Sequence, residues 1–240
     1  MSLFQDIKGI IFDYGGTIDT DSVHWSEVLW RAYRECGFAV DKNDFREAYV
    51  HAERTLACQP LIRPDHNMLD LLRIKVDIET RFLEENHRWN GEKLNRKALS
   101  EAIAGNCYDY VLHTLETSRE VIRELSARYP LVLVSNFYGN INAILKDFRL
   151  EYFQDVIESA VVGVRKPDPR IFQLGVDALG LEPQQVAVVG DSFTKDIAPA
   201  ASLGCKTVWV RGIGWGEEKV DEALPTAIIS HLSELTTLFI

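Results

Sequence analysis

The stretch Ile10-Ile11-Phe12-Asp13-Tyr14-Gly15-Gly16-Thr17 sets three consecutive apolar residues directly before an aspartate and a pair of glycines. An apolar run of this length without alternation predicts a strand, over residues 7–12, buried on both faces. A strand that gives way to a carboxylate and a glycine turn is how an open α/β sheet presents a reactive side chain at the carboxyl edge of its strands. Taken alone, the segment reads more simply as a bland strand-to-loop turn.

Working outward, residues 21–113 carry helical periodicity only. Trp25, Val28, Leu29, Ala32, Tyr33 and Cys36 fall on one helical face that Gly37 closes. A second helix is predicted from about Asn43 to Leu56, capped by Asp41 or Asn43. Two longer ones follow, Met68–Asn86 and Leu94–Leu112, joined through Asn90-Gly91. After Glu116 the pattern alternates. A helix at 118–129 leads to strand 131–135, helix 141–148, strand 156–159 and helix 169–179. Strand 186–189, helix 195–203 and strands 207–210 and 227–230 complete the series. Apolar strands separated by helices predict a parallel sheet covered on both faces. Strand 7–12 has no partner among the helices, so it joins the later sheet. The expected division is residues 1–18 with 115–240 as an α/β core, and 19–114 as an inserted helical domain forming a movable lid over Asp13.

The 240 residues are 46% hydrophobic and 26% charged, with a formal net charge of -10. That acidity argues against nucleic acid or an anionic membrane surface as a partner. Cys36, Cys58, Cys107 and Cys205 are scattered without metal-ligand spacing and read as free thiols. Neither a signal peptide nor an 18-residue apolar run is present, so a cytoplasmic protein is expected.

Four segments end predicted strands. After the first, with Asp13, comes Leu133-Val134-Ser135-Asn136, which alone is ordinary turn chemistry. In Gly163-Val164-Arg165-Lys166-Pro167-Asp168-Pro169, Asp168 can cap a helix, whereas an extended Lys166 before proline is free to point an ammonium at the sheet edge. Val188-Val189-Gly190-Asp191-Ser192-Phe193-Thr194-Lys195-Asp196 places two carboxylates five residues apart after a strand. Such hard oxygen ligands suit Mg²⁺.

In this order, and with a helical insertion after the first, the four segments strongly resemble the haloacid dehalogenase-like hydrolases, mostly phosphatases. The core resembles them closely, the insertion by position and helical character. The resemblance implies a Rossmann-like three-layer α/β/α core with an α-helical cap and a Mg²⁺-dependent hydrolase of a small phosphorylated metabolite. It implies Asp13 as the nucleophile that forms an aspartyl-phosphate and Lys166 as the screen between two anions. Thr17, Ser135, Asn136 and Lys166 would contact phosphate. Asp13, the Gly15 carbonyl, Asp191 and Asp196 (directly or through water) would hold the metal.

One position departs from that pattern. Two residues after the nucleophile the phosphatases carry a second aspartate, the general acid and base, and here Gly15 stands there. General acid–base help contributes about 10²–10⁴ in rate, so alkyl phosphates should turn over slowly. Asp19, Asp21, His24 or a cap residue are the candidate replacements. The resemblance leaves other readings open: a catalytically impaired phosphate-ligand or partner-binding protein, a phosphonate C–P hydrolase using Lys42, Lys75, Lys93 or Lys97 from the cap, and a dehalogenase, against which Gly15 and Asp191 count. All four lysines read more simply as exposed helix residues, and Trp25 and Trp30 as cap packing. Arg211-Gly212-Ile213-Gly214-Trp215-Gly216 opens no helix at dinucleotide spacing and is expected to be a flexible loop bordering the site.

Overall fold

Period-two alternation organises the centre of the molecule. Strand β1 (Gly9–Phe12) sends Ile10 and Phe12 into one apolar cluster and Ile11 into another on the opposite face. In β2 (Leu131–Ser135), Leu131 and Leu133 oppose Val132 and Val134 in the same way. The computed structural model describes residues 3–89, 93–214 and 220–240. Its remaining strands are β3 (Asp155–Glu158), β4 (Val186–Gly190), β5 (Lys206–Val210) and β6 (Ala227–Ile229). All six pair in parallel, in the order β3-β2-β1-β4-β5-β6.

Among the described residues, four helices separate β1 from β2: α1 (Trp25–Glu35), α2 (Lys42–Cys58), α3 (Met68–Glu85) and α4 (Lys93–Ser126). Local chemistry sets their ends. Gly37, at φ +74°, closes α1. The Asp41 carboxylate accepts from Asn43 N at 2.8 Å at the start of α2. Asn67 and Asp70 cap α3 reciprocally, each side chain accepting from the other's backbone N–H. The later helices are α5 (Ile141–Asp147), α6 (Ser159–Val162), α7 (Arg170–Leu179), α8 (Ala198–Ser202) and α9 (Leu235–Phe239). α7 buries Ile171, Phe172 and Val176 with Ile11 on one face of the sheet. α4 and α9 bury Ile122, Leu125 and Leu235 with Ile10 and Phe12 on the other. The result is a parallel α/β sheet covered on both sides.

Two readings of the sequence change here. The helices expected at 94–112 and 118–129 are one 34-residue helix. Glu116-Thr117-Ser118 holds no glycine or proline to break it. The Thr114 and Ser118 hydroxyls donate to the carbonyls of Tyr110 (3.0 Å) and Thr114 (3.4 Å) and stay within the helix. Position 114/115 therefore lies inside a rod that belongs to both the helical region and the sheet. In place of one helix over 195–203, a π-helical turn (Phe193–Ile197) precedes α8. The linker at Asn90-Gly91 lies outside the described residues.

Candidate active site

β1 lies between β2 and β4, so the carboxyl ends of these strands open on the crevice where strand order reverses, the usual ligand site of such sheets. Asp13 N donates to Val189 O at 2.9 Å, extending the β1–β4 ladder by one rung, and the Asp13 side chain stands just beyond it. Lys166 Nζ donates to Asp13 Oδ1 at 2.5 Å and to Asp196 Oδ1 at 2.7 Å. All three side chains are almost wholly buried. The Thr17 hydroxyl donates to Asp13 Oδ2 at 3.0 Å and approaches Asp191 Oδ1 at 3.4 Å. Two glycines admit these carboxylates. A Cβ on Gly16, whose φ is +97°, would lie 2.4 Å from Asp191 Oδ2, and one on Gly190 would lie 2.5 Å from the Asp196 Cβ.

Carboxylate oxygens of Asp13, Asp191 and Asp196 gather within 4.8 Å of one another. Lys166 supplies one ammonium against the three. Burial, reinforced by Asp13 and Asp196, holds the Asp191 carboxyl well above the usual range. Burial pushes Asp196 up to about 6 against the pull of Lys166, with Asp13 adding to the rise. Burial alone would lower Lys166, but Asp13 and Asp196 outweigh it and keep the ammonium charged. A buried group of anions with too few cations either takes up protons or binds a cation. Three hard oxygens at this spacing fit Mg²⁺, which pairs a few carboxylates with water and substrate oxygens.

Seven of the eight residues expected at the site line one cavity of about 180 Å³: Asp13, Gly15, Ser135, Asn136, Lys166, Asp191 and Asp196. Thr17, expected at phosphate, is buried beneath it and bonds carboxylates instead. Asn136 reaches the cavity, yet its amide clamps the Lys166 main chain, donating to Lys166 O at 3.1 Å and accepting from Lys166 N at 2.9 Å. The Lys166–Pro167 peptide is cis. Asp168, expected to cap the helix, stands one residue before the N-cap Pro169 and accepts from Arg170 N at 3.0 Å.

The rest of the wall was not legible as such. His24, Trp25, Tyr49, Glu53 and Lys75 line the cavity from the helical region, and Tyr138 from the loop after β2. Lys75, expected on an exposed face, is buried and ion-paired with Glu53, beside a Tyr138 hydroxyl that donates to Glu53 at 3.0 Å. The signal for it was a charged residue on the apolar stripe of α3, with Leu71, Leu72, Val76 and Leu83. Lys42 pairs with Glu27, and Lys97 is exposed. The Lys93 side chain lies outside the described residues. Trp25 is thus a site residue, whereas Trp30 packs on Phe45 at 5.2 Å between ring centroids.

None of the three named candidates takes the place of a proton donor at Gly15. Asp21 accepts from Leu232 N at 2.6 Å and pairs with His231, far along the chain. Burial pushes Asp19 up to about 7, and its oxygens accept from Gly16 N (2.8 Å) and Trp25 Nε1 (2.9 Å). His24 lines the cavity, but burial with Lys195 and Lys75 lowers its ring to about 4, so it is neutral at pH 7. A Cβ on Gly15 would meet Trp25 Nε1 at an ordinary 3.8 Å, so the space for a side chain exists. The stretch 211–214 packs on the turn before α1, with His24 N donating to Ile213 O at 3.0 Å. Trp215 and Gly216, expected in a loop bordering the site, lie outside the described residues.

Residues 7–204 match the haloacid dehalogenase-like hydrolase family. A phosphoserine phosphatase from Thermus thermophilus is 38% identical over 85 residues, 35% of this chain and 33% of that protein. A glyceraldehyde 3-phosphate phosphatase from Pyrococcus abyssi is 34% identical over 90 residues, 38% of each chain. The chain thus aligns with only about a third of the first of these relatives and less than two fifths of the second. A glyceraldehyde 3-phosphate phosphatase from Methanopyrus kandleri is 28% identical over 85% of this chain and 84% of its own length. Among solved structures, a dehalogenase superposes with a TM-score of 0.65 at 20% identity, covering 98% of both chains. A predicted phosphoglycolate phosphatase from Haemophilus somnus gives 0.56 at 19%, over 98% of this chain and 99% of its own. At these identities the superpositions speak for the fold.

Proposed function

The chain belongs to the haloacid dehalogenase-like hydrolases, and from that premise we propose a Mg²⁺-dependent phosphatase of small phosphate esters that works through an aspartyl-phosphate on Asp13. The observation that carries this reading is the Asp13 carboxylate at the edge of the central strand, bonded to a buried lysine and flanked by two further carboxylates. The curated relatives named phosphatases favour phosphorus over carbon as the centre attacked.

In this reading Asp13 Oδ attacks phosphorus, the P–O bond to the alcohol breaks, and water later cleaves the acyl phosphate to return the carboxylate. Lys166 reduces the repulsion between the Asp13 carboxylate and the incoming phosphoryl group. Asp13, Asp191, Asp196 and the Gly15 carbonyl would hold the Mg²⁺, which supplies charge neutralisation at the transferring group. Ser135 contacts the phosphoryl oxygens. Thr17 orients Asp13, and Asn136 fixes the Lys166 main chain. Residues 19–114 form the cap that covers this edge and brings His24, Trp25, Glu53 and Lys75 to the substrate. The free thiols of Cys36, Cys58, Cys107 and Cys205 suit a reducing cytoplasm. No described helix is long and apolar enough to cross a membrane.

With glycine at position 15, Asp19 outside the cavity lining and His24 neutral, good leaving groups should react and alkoxides only slowly. Assays of p-nitrophenyl phosphate and an alkyl phosphate, with and without Mg²⁺, test this beside an Asp13→Asn control. Metal-dependent cleavage of the aryl ester that vanishes in the control is expected. Cleavage that persists without Asp13 overturns the reading and leaves a binding protein.

A further inference from the structure

A second cleft, of about 680 Å³, adjoins the first and shares Glu53, Asn136, Phe137, Tyr138 and Lys195 with it as a common wall. Its other walls come from the end of α2 and from the chain after β3, and they carry Arg54 and Arg165. Glu53 is the sole carboxylate among the described lining residues, and it is already paired with Lys75. Arg54, Arg165 and Lys195 are exposed, and among the described residues none of them forms an ion pair. Three unpaired cations in one cleft stand out in a chain of net charge -10. Each is the sequence neighbour of a residue lining the inner cavity: Glu53, Lys166 and Asp196. The cations therefore ring the mouth of the site rather than a remote surface.

We propose that this cleft binds a second oxyanion of the substrate, so that the preferred esters carry a phosphate or carboxylate at the end remote from the phosphoryl group presented to Asp13. This rests on the phosphatase reading. Guanidinium groups engage such anions through paired N–H donors, and a positive rim draws in a polyanion that the net-acidic surface would otherwise repel. Leu56, Ala57 and Ile62, also in the wall, suit a short carbon chain between the two anions.

The test uses the intact chain with Mg²⁺ and probes whose C–P bonds resist transfer. Calorimetry would compare butylphosphonate with butane-1,4-diyl bisphosphonate, its pentane and hexane homologues, and 5-phosphonopentanoate. A bisphosphonate of favoured length should bind on the order of tenfold tighter or more than the monophosphonate. In R54A/R165A that ratio should fall toward the statistical factor of about two that two identical ends confer. The carboxylate probe shows which oxyanion the cleft prefers. A ratio near two in the unmodified chain, or one unchanged in the double variant, overturns the assignment. If that occurs while Asp13-dependent cleavage of p-nitrophenyl phosphate persists, the cleft assignment falls alone. If neither phosphonate binds and that cleavage is absent, the phosphatase reading falls with it.

Discussion

Two buried lysines face the same cavity from opposite sides, and their surroundings differ in charge balance. Lys166, at the sheet edge, bonds Asp13 and Asp196 with Asp191 close by, three carboxylates to one ammonium. Lys75, on α3, pairs with Glu53 and lies 4.3 Å from the Tyr49 ring centroid. The second carboxylate near it, Glu79, is pushed by burial up to about 7 despite the pull of Lys75, and accepts from the Tyr33 hydroxyl at 2.9 Å. Charge around Lys75 is thus nearly cancelled by one partner, one half-protonated acid and neutral phenols. Charge around Lys166 is left in surplus. The surplus prepares a site for a cation and an anionic transition state, whereas the balanced cluster holds a wall in place.

The sharpest way to break this contrast is at Asp13. Asp13→Asn should lower metal-dependent cleavage of p-nitrophenyl phosphate by at least about 10³-fold, since the nucleophile is gone. Steady-state rates with a folding check by circular dichroism would show it. A second test restores what Gly15 lacks. Gly15→Asp should raise alkyl phosphate hydrolysis by about 10²–10⁴ while changing aryl phosphate cleavage much less. A folded, Mg²⁺-binding variant with no gain would remove the account of the missing acid.

On the opposite wall the effects should appear in stability. Glu79 is raised in the folded chain from 4.5 to about 7, so the folded state holds a proton the unfolded state has released between those values. Stability from this group is then full below about pH 4.5 and declines by about 3 kcal/mol as pH rises through 7. Glu79→Gln keeps an acceptor for Tyr33 and should flatten that decline, so that its melting temperature exceeds that of the unmodified chain at pH 8. Parallel denaturation at pH 5 and pH 8 measures the difference. Lys75→Met leaves the part-exposed Glu53 without its cation and should cost about 1–3 kcal/mol. Lys75→Met with Glu53→Gln should regain much of that. A fall in activity toward p-nitrophenyl phosphate comparable to that of Asp13→Asn would show that the two lysines are not so different after all.

The core was readable because each of its signals is local. Ile10-Ile11-Phe12 is buried by its own composition, and a residue just past a strand can only stand at that strand's end. Once the strands were placed, Asp13, Ser135 and Asp191, each at or just past a strand end, had to share one edge of the sheet. What the sequence left unread is non-local. The joining of two helices into α4 depended on the absence of a breaker at Glu116-Thr117-Ser118. The clamp of Asn136 on the Lys166 main chain depended on a neighbour 30 residues away.

By itself, then, the sequence determined a parallel sheet with a carboxylate-rich edge and a long helical insertion, because burial patterns and strand-end chemistry act within a few residues. Tertiary structure alone decided which insertion residues face Asp13, that Lys75 is buried against Glu53, and that Arg54, Arg165 and Lys195 converge on one cleft. A helix's periodicity says which face is covered, but the covering partner and the cavity left between them follow from how separate elements pack.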